Sequence, residues 1–161
     1  TGGAFSDAKE LDYQAGMEAM LSIRTTSEVK PDMIFHALGT MGTYNVTCFE
    51  KFILDEEKIE SLKHLMKGYA IDDSTIMFDS ILKTGPTGQH FERTQKSYRR
   101  DFIMPKLSIR DNHNSWIQAG CPSAESLATE VWKKRLEEYV KPDFNKEQRS
   151  ILENLLPEKY R

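Results

Sequence analysis

The stretch Met33-Ile34-Phe35-His36-Ala37-Leu38 decides the interpretation of the fold. It is an almost unbroken apolar run, bounded by Pro31-Asp32 before it and by the Gly-rich segment 39–43 after it. Such a run predicts a strand buried on both faces, which is typical of a parallel sheet covered by helices. Residues 1–5 form a second strand-like segment. Because two parallel strands are not a stable sheet, we expect further strands from another copy or from a larger α/β protein.

Helical periodicity dominates the rest of the chain. Apolar residues at spacings of four predict a first helix that ends near Ser27, and these residues are Leu11, Ala15, Ala19 and Ile23. A second helix is predicted over residues 47–67, with a break considered at Asp55 and with Gly68 at its C-terminal cap. Later helices are expected to begin at Asp72 or Asp73, Asp111, Ser123 and Asn145, the last with Gln148 at capping-box spacing.

Composition excludes several classes of function. The 161 residues carry 22 Lys and Arg against 25 Asp and Glu, a net charge of −3, which argues against a nucleic-acid partner. No apolar run is long enough to span a bilayer, and the start lacks the pattern of a signal peptide, so we expect a cytoplasmic protein without a membrane partner. Cys48 and Cys121 lie far apart and predict neither a disulfide nor a metal site.

Four short motifs, in order along the chain, resemble one family. Residues 6–16, Ser-Asp-Ala-Lys-Glu-Leu-Asp-Tyr-Gln-Ala-Gly, resemble a T-D-A-K-x-x-D-x-Q-A-G segment, and residues 35–39 are similar to an I-H-x-x-G strand end. Residues 48–55 resemble an S-[FY]-E-[QK]-L-[VI]-[IL]-D helix, and residues 85–91 a G-P-G-G-H-F loop. These segments belong to the trimethylamine:corrinoid methyltransferase (MttB) superfamily.

The resemblance implies a fold of the α/β class, the C-terminal portion of a TIM (β/α)8 barrel. Residues 1–70 would hold the last two barrel strands with their helices, and residues 71–161 would form a helical C-terminal region. Complete barrels need about 250 residues, so the strand shortage would be explained. Catalytic residues of such barrels lie at the C-terminal ends of the strands.

The resemblance also implies a chemistry. Family members transfer a methyl group from an amine to the Co(I) centre of a corrinoid, which a separate small protein carries. Phe5 aligns with the position at which trimethylamine members carry pyrrolysine, which indicates the non-pyrrolysine branch that acts on glycine betaine and similar quaternary amines. A pyrrolysine-dependent trimethylamine methyltransferase remains the less favoured assignment.

A quaternary ammonium cannot donate a hydrogen bond, so its site must consist of aromatic faces and apolar contacts. Tyr44 is a candidate wall of this site. Phe5 and Phe35 are further candidates, although aromatic residues in apolar runs more often pack in the core. His36 is a candidate partner for a betaine carboxylate, although an isolated His at a strand end is more often structural. Gly39 would let the backbone approach a ligand. No catalytic residue and no metal ligand is assigned.

A second interpretation belongs to another class. The helices over residues 72–161 would then form a non-catalytic interaction module that docks a corrinoid protein or self-associates. Exposed strand edges in an isolated chain predict coverage by another copy, so we expect a homo-oligomer.

Overall fold

The computed structural model describes residues 1–87 and 95–160, and this part of the chain is mostly helical. Helices α1 and α2 come first and are followed by a series of shorter helices. A small antiparallel hairpin, β1 with β2, lies between α1 and α2 along the chain. The elements are α1 (Tyr13–Glu28), β1 (Thr40–Met41), β2 (Val46–Thr47), α2 (Phe49–Lys67), α3 (Asp73–Ile76), α4 (Phe78–Thr84), α5 (Gln95–Asp101), α6 (His113–Gln118), α7 (Ala124–Glu137) and α8 (Lys146–Leu155), with 3-10 turns at Gly85–Thr87 and Glu158–Tyr160.

The two apolar segments lie side by side in parallel, but they are not continuous strands. Their pairing is a single parallel bridge between Gly2 and Phe35. The Phe35 amide donates to the Thr1 carbonyl at 2.7 Å, and the Gly3 amide donates to the Phe35 carbonyl at 3.1 Å. Ala4 (φ 58°) and His36 (φ 54°) then adopt left-handed conformations, which end the pairing. The prediction of regular strands at 1–5 and 33–38 is therefore wrong, and a single bridge is the extent of the parallel pairing in the described chain.

The regular strands lie outside both apolar segments: β1 falls in the Gly-rich segment, and β2 ends at Thr47, where the second helix was predicted to begin. β1 pairs with β2 so that Thr40 faces Thr47 and Met41 faces Val46. The connecting turn is closed by Asn45, whose backbone amide (3.2 Å) and side-chain amide (3.0 Å) both donate to the Gly42 carbonyl. Side-chain hydrogen bonding of this kind is why Asn favours turns. The Gly-rich segment is thus the first strand and turn of a hairpin.

The boundaries of α1 and α2 follow from local capping. Asp12 accepts a hydrogen bond from the Ala15 amide at 3.0 Å and begins α1, and Cys48 Sγ accepts from the Lys51 amide at 3.4 Å at the start of α2. α2 continues through Asp55 without a break and ends at Gly68, whose φ of 70° suits a residue without a Cβ atom. The predicted C-terminal cap is confirmed, and the break considered at Asp55 is absent.

α1 and α2 cover one face of the two apolar segments. The buried cluster there consists of Ala4, Ala19, Ile23 and Leu62, with Ile34, Ala37 and Ile59 packed against it. The opposite face is open, since Met33 and Phe35 keep 62% and 57% of their surface exposed. Side chains alternate between the two faces of an extended segment, so Ile34 points to the helices while its neighbours point away. The described chain therefore buries only one side of this layer.

The helices after α2 begin largely as the sequence predicts. Asp72, Ser123 and Asn145 are N-caps, each within a capping box, whereas Asn112 rather than Asp111 caps α6. α7 packs on α2 around Ile53, Leu107 and Ala128. Of the Gly-rich motif at 85–91, residues 88–91 lie outside the described residues. Within the described ranges, no helix is long and apolar enough to cross a membrane.

Candidate functional site

Three of the predicted site residues come together as a cluster of aromatic rings. The ring centroids of Phe5 and Tyr44 are 5.0 Å apart with 34° between the planes. His36 meets Tyr44 edge-on, at 5.3 Å and 75°. These separations are typical of favourable aromatic pairs. Residues from both apolar segments and from the hairpin turn thus form one surface, which we call the ring cluster (Phe5, His36, Tyr44).

The backbone that presents the ring cluster is unusual. His36, Thr43 and Tyr44 have φ values of 54°, 57° and 67°, a left-handed conformation that costs free energy for residues other than glycine. Conformations of this kind persist only where the surrounding structure holds them, and they concentrate at functional sites. Two of the three strained residues are members of the ring cluster.

The ring cluster is open to solvent. Tyr44 keeps 51% of its surface exposed, His36 is exposed and Phe5 is half-buried. The Tyr44 hydroxyl lies 3.7 Å from the position that a Cβ atom on Gly2 would occupy, so the ring crosses the start of the first segment. The described chain therefore offers several aromatic surfaces to a ligand and leaves the other side of that ligand uncovered.

Gly39 has a different environment from the other predicted site residues. A Cβ atom at Gly39 would lie 3.0 Å from the Cys48 carbonyl oxygen and 3.1 Å from Phe52 Cβ, and φ is 71°. Its amide donates to Asp55 Oδ2 at 2.9 Å. Glycine is required at this position because the second segment packs directly on α2. The absence of a side chain thus serves packing, and a role of Gly39 toward substrate remains a prediction.

A buried ion pair beneath the site was not predicted. Lys51 and Asp55 on α2 are only 1% and 3% exposed, and Lys51 Nζ lies 2.5 Å from Asp55 Oδ2. Lys51 also donates to the Ala4 carbonyl at 2.9 Å, and Lys58 contacts Asp55 Oδ1 at 2.5 Å. Burial of charge is costly unless the groups are paired and hydrogen-bonded, as they are here.

The sequence contains the signal for this pair. Lys51 and Asp55 are one helical turn apart and share a face with Ile59 and Leu62, which pack into the core. Charged residues in register with core positions at this spacing indicate a buried pair. The motif at 48–55 contributed to the family resemblance, but the register of its charges was not used.

The segment that follows Phe5 is held by Glu18 of α1. Its carboxylate accepts hydrogen bonds from Ser6 Oγ at 2.7 Å and from the Asp7 amide at 2.8 Å. Gln14 Nε2 donates to the same carboxylate at 2.8 Å. The hydrogen bonds from Ser6, Gln14 and Asp7, in that order of size, hold the pKa of Glu18 below its ordinary value. Lys9 donates to the Asp7 backbone carbonyl. The end of the first segment is therefore fixed to α1 by a carboxylate.

The chemistry that this arrangement suits is binding rather than covalent catalysis. Aromatic faces attract a cation through their quadrupoles and need no hydrogen-bond donor on the ligand. The imidazole of His36 adds a possible donor at the edge of the same surface. In residues 1–87 and 95–160, no three His, Cys, Asp or Glu side chains are grouped so as to hold a metal ion.

These features define a mostly helical segment with a small antiparallel sheet and an exposed cluster of aromatic rings. Comparison with known proteins identifies the family: the profile of the trimethylamine methyltransferase (MTTB) family matches residues 1–160, and the chain belongs to that family.

The relatives with higher identity act on quaternary amines, according to their names. The chain is 35% identical to the L-carnitine:corrinoid methyltransferase of Eubacterium limosum, with 99% of this chain and 34% of that protein covered. It is 33% identical to the glycine betaine methyltransferase of Desulfitobacterium hafniense (strain Y51), over 91% of this chain and 31% of the relative. The trimethylamine methyltransferase MttB of Methanosarcina thermophila is 26% identical over 80% of this chain and 26% of its own length. These identities confirm the predicted branch, and the chain spans about a third of the length of the curated relatives it matches.

Proposed function

We propose that this chain is part of a corrinoid-dependent methyltransferase that takes a methyl group from a quaternary amine of the glycine betaine type. The acceptor is Co(I) of a corrinoid, which a separate corrinoid protein carries to the enzyme. The observation that carries this proposal is the ring cluster, in which Phe5, His36 and Tyr44 converge from separate parts of the chain. The 33–36% identity with the carnitine, glycine betaine and proline betaine enzymes supports it.

The proposed architecture is the closing part of a TIM barrel over residues 1–70, followed by a helical region over residues 71–161. Two parallel segments, each followed by a helix that packs on the same face, have the order of two strand–helix units. The exposed face with Met33 and Phe35 would then point into the barrel. Strands from the longer protein would cover the open edges, and a second copy of the protein is the other candidate.

Substrate binding follows from the character of the ligand. A trimethylammonium group has no N–H and so cannot donate a conventional hydrogen bond. Its positive charge, spread over the methyl groups, is therefore attracted mainly to the faces of aromatic rings. Phe5 and Tyr44 would contact the methyl groups, and His36 would donate to the carboxylate of a betaine. Gly39 stays in the proposed site only as the residue that lets the second segment approach α2.

The proposed reaction needs little from the enzyme beyond positioning. Co(I) supplies the electron pair of the new bond to the methyl carbon, the carbon–nitrogen bond breaks, and its electron pair stays on nitrogen. A quaternary ammonium leaves as a neutral tertiary amine, so no proton transfer and no covalent enzyme intermediate is required. Proximity and orientation of the methyl group are what the ring cluster would contribute.

The test is methyl transfer by the full-length protein. The protein is incubated with Co(I) cobalamin and glycine betaine, carnitine or proline betaine, and loss of the Co(I) absorbance is followed together with the demethylated amine. We expect stoichiometric transfer from at least one quaternary amine and none from its tertiary demethylated product. Absence of transfer from all of them, with folded protein, would contradict the proposal.

A further inference from the structure

The buried Lys51–Asp55 pair connects the backbones of both segments that carry the ring cluster. We propose that it is a positioning pair, which fixes the separation of Phe5 from His36 and Tyr44 without touching the substrate. The effect of the pair on ring position is inferred from the geometry alone. Its effect on substrate binding rests, in addition, on the proposed function.

Each member of the pair binds a different segment. Lys51 Nζ donates to the carbonyl oxygen of Ala4, at 2.9 Å, and Ala4 directly precedes Phe5. Asp55 Oδ2 accepts from the amide of Gly39, at 2.9 Å, and Gly39 directly precedes β1. The ion pair itself, at 2.5 Å between Lys51 Nζ and Asp55 Oδ2, closes the connection. α2 thereby holds both segments through one pair of side chains.

The backbone needs these partners because it leaves extended conformation at both points. Ala4 and Gly39 have φ values of 58° and 71°, and both residues are buried. A buried carbonyl or amide without a partner costs about as much as a lost hydrogen bond, so it must be paired. The ammonium and the carboxylate supply a donor and an acceptor where a regular strand ladder would otherwise do so.

The bends at Ala4 and Gly39 also determine where the rings lie. The left-handed residue Ala4 sets the direction in which the chain continues to Phe5, and Gly39 sets the start of the hairpin whose turn carries Tyr44. An apolar pair of similar volume would fill the space between α2 and the two segments, but it would leave both backbone groups unpaired. The charged pair is therefore suited to fixing position, which packing alone does not do at these bends.

Lys58 provides a matched control on the same carboxylate. It contacts Asp55 Oδ1 at 2.5 Å, but its side chain is more exposed than that of Lys51, at 16% against 2%. The hydrogen bond of its ammonium goes to Asp55, one turn away on the same helix, rather than to either segment. Lys58→Gln removes a cation from Asp55 and leaves both backbone connections in place.

The experiment compares Lys51→Met, Asp55→Asn and Lys58→Gln in the full-length protein. We expect Lys51→Met to raise KM for the quaternary amine by about tenfold or more, because small misplacements of binding groups are costly. Asp55→Asn keeps an acceptor for Gly39 and should have a smaller effect, and Lys58→Gln should leave KM within about twofold of wild type. In a crystal structure of Lys51→Met, the Phe5–Tyr44 centroid distance should exceed the present 5.0 Å.

A double variant guards against misfolding. If Lys51→Met does not fold, Lys51→Met/Asp55→Leu removes both charges, and we expect it to fold with displaced rings, since apolar replacement of a buried pair is often tolerated. A folded variant with unchanged ring geometry and unchanged KM would overturn the positioning role. If the wild-type protein shows no methyl transfer, the proposed function is wrong. The ring geometry in the crystal structures of the variants would still test the positioning role of the pair.

Discussion

The His36 imidazole and the Tyr44 ring form a T-shaped pair, with 5.3 Å between the centroids and 75° between the planes. Both residues have a positive φ, and they come from different elements, the second apolar segment and the turn after β1. Their convergence on an exposed surface is an observation that the proposed ligand site would account for.

The Tyr44 ring should contribute to binding of the amine. We expect Tyr44→Leu to raise KM for glycine betaine by about fivefold to thirtyfold, because one ring face contributes about 1 to 2 kcal/mol to binding of a desolvated cation. Tyr44→Phe keeps the ring and should stay close to wild type. Steady-state kinetics of the full-length protein provide the measurement. Equal KM values for Leu and Phe would remove Tyr44 from the site.

The role of His36 should depend on the carboxylate of the ligand. His36→Ala should weaken glycine betaine about tenfold or more, since hydrogen bonds to charged groups contribute about 1.5–3 kcal/mol. Inhibition by choline, which has the cation without the carboxylate, should stay unchanged. His64 in the last turn of α2 is the control position, at which His→Ala should affect neither ligand. An equal loss for both ligands would show that His36 acts on the cation or on the fold.

The sequence predicts the helical part of this fold well, because its signals are local. Ser123, Asn145 and Gly68 cap helices at the positions that their side chains, or the lack of one, favour. The strands are predicted poorly because their formation depends on pairing and on bends. Nothing in the apolar run at 33–38 signals that His36 adopts a left-handed conformation.

The residues of the ring cluster were named from the sequence, and their role toward substrate stays a prediction, whereas the buried pair beside them was not predicted. Tyr44, His36 and Phe5 follow from the motif positions together with the chemistry of a quaternary cation, and the structure brings their rings together. Lys51 and Asp55 were not predicted as a buried pair, because charged residues on a helix are usually solvated. Only their register with Leu62 on the same face indicates burial.

Cys48 is a weak cap for α2, and a hydroxyl should be a better one. Its Sγ accepts from the Lys51 amide at 3.4 Å, and burial raises the pKa of the thiol, so it stays uncharged. We expect Cys48→Ser to stabilise the protein by about 0.5–1 kcal/mol, since Ser is among the preferred N-cap residues. Denaturant unfolding of the full-length protein measures this change. Cys121→Ser, at an exposed cysteine, should be neutral, and a destabilised Cys48→Ser would contradict the capping role.

Glu57 should make stability fall at acidic pH. Its carboxylate accepts hydrogen bonds from Ser108 Oγ at 2.7 Å and from the amides of Lys106, Leu107 and Ser108. Burial raises its pKa, but these bonds, that of the Ser108 hydroxyl first, hold it below the ordinary value of 4.5. The unfolded chain then binds the proton first as pH falls, so the contribution is full above that value and is lost as pH falls through the lower folded pKa.

The corresponding variant is Glu57→Gln. We expect its Tm to fall by several degrees at pH 7 and the difference from wild type to be smaller at pH 3, because protonation of the wild-type carboxyl increases as pH falls toward its lowered pKa. Glu60→Gln, at an exposed position one turn along α2, is the control and should show neither effect. Thermal unfolding at both pH values decides the matter, and a deficit in Glu57→Gln that is independent of pH would exclude the carboxylate as its cause.

The location of the bound amine tests the central claim most directly. A crystal structure of the full-length protein with glycine betaine should place the trimethylammonium nitrogen within about 6 Å of the Tyr44 ring centroid, the range of cation–π contact. The Phe5 ring and the His36 imidazole should lie on the same ligand, His36 toward its carboxylate. Well-defined betaine bound away from all three residues would contradict the account.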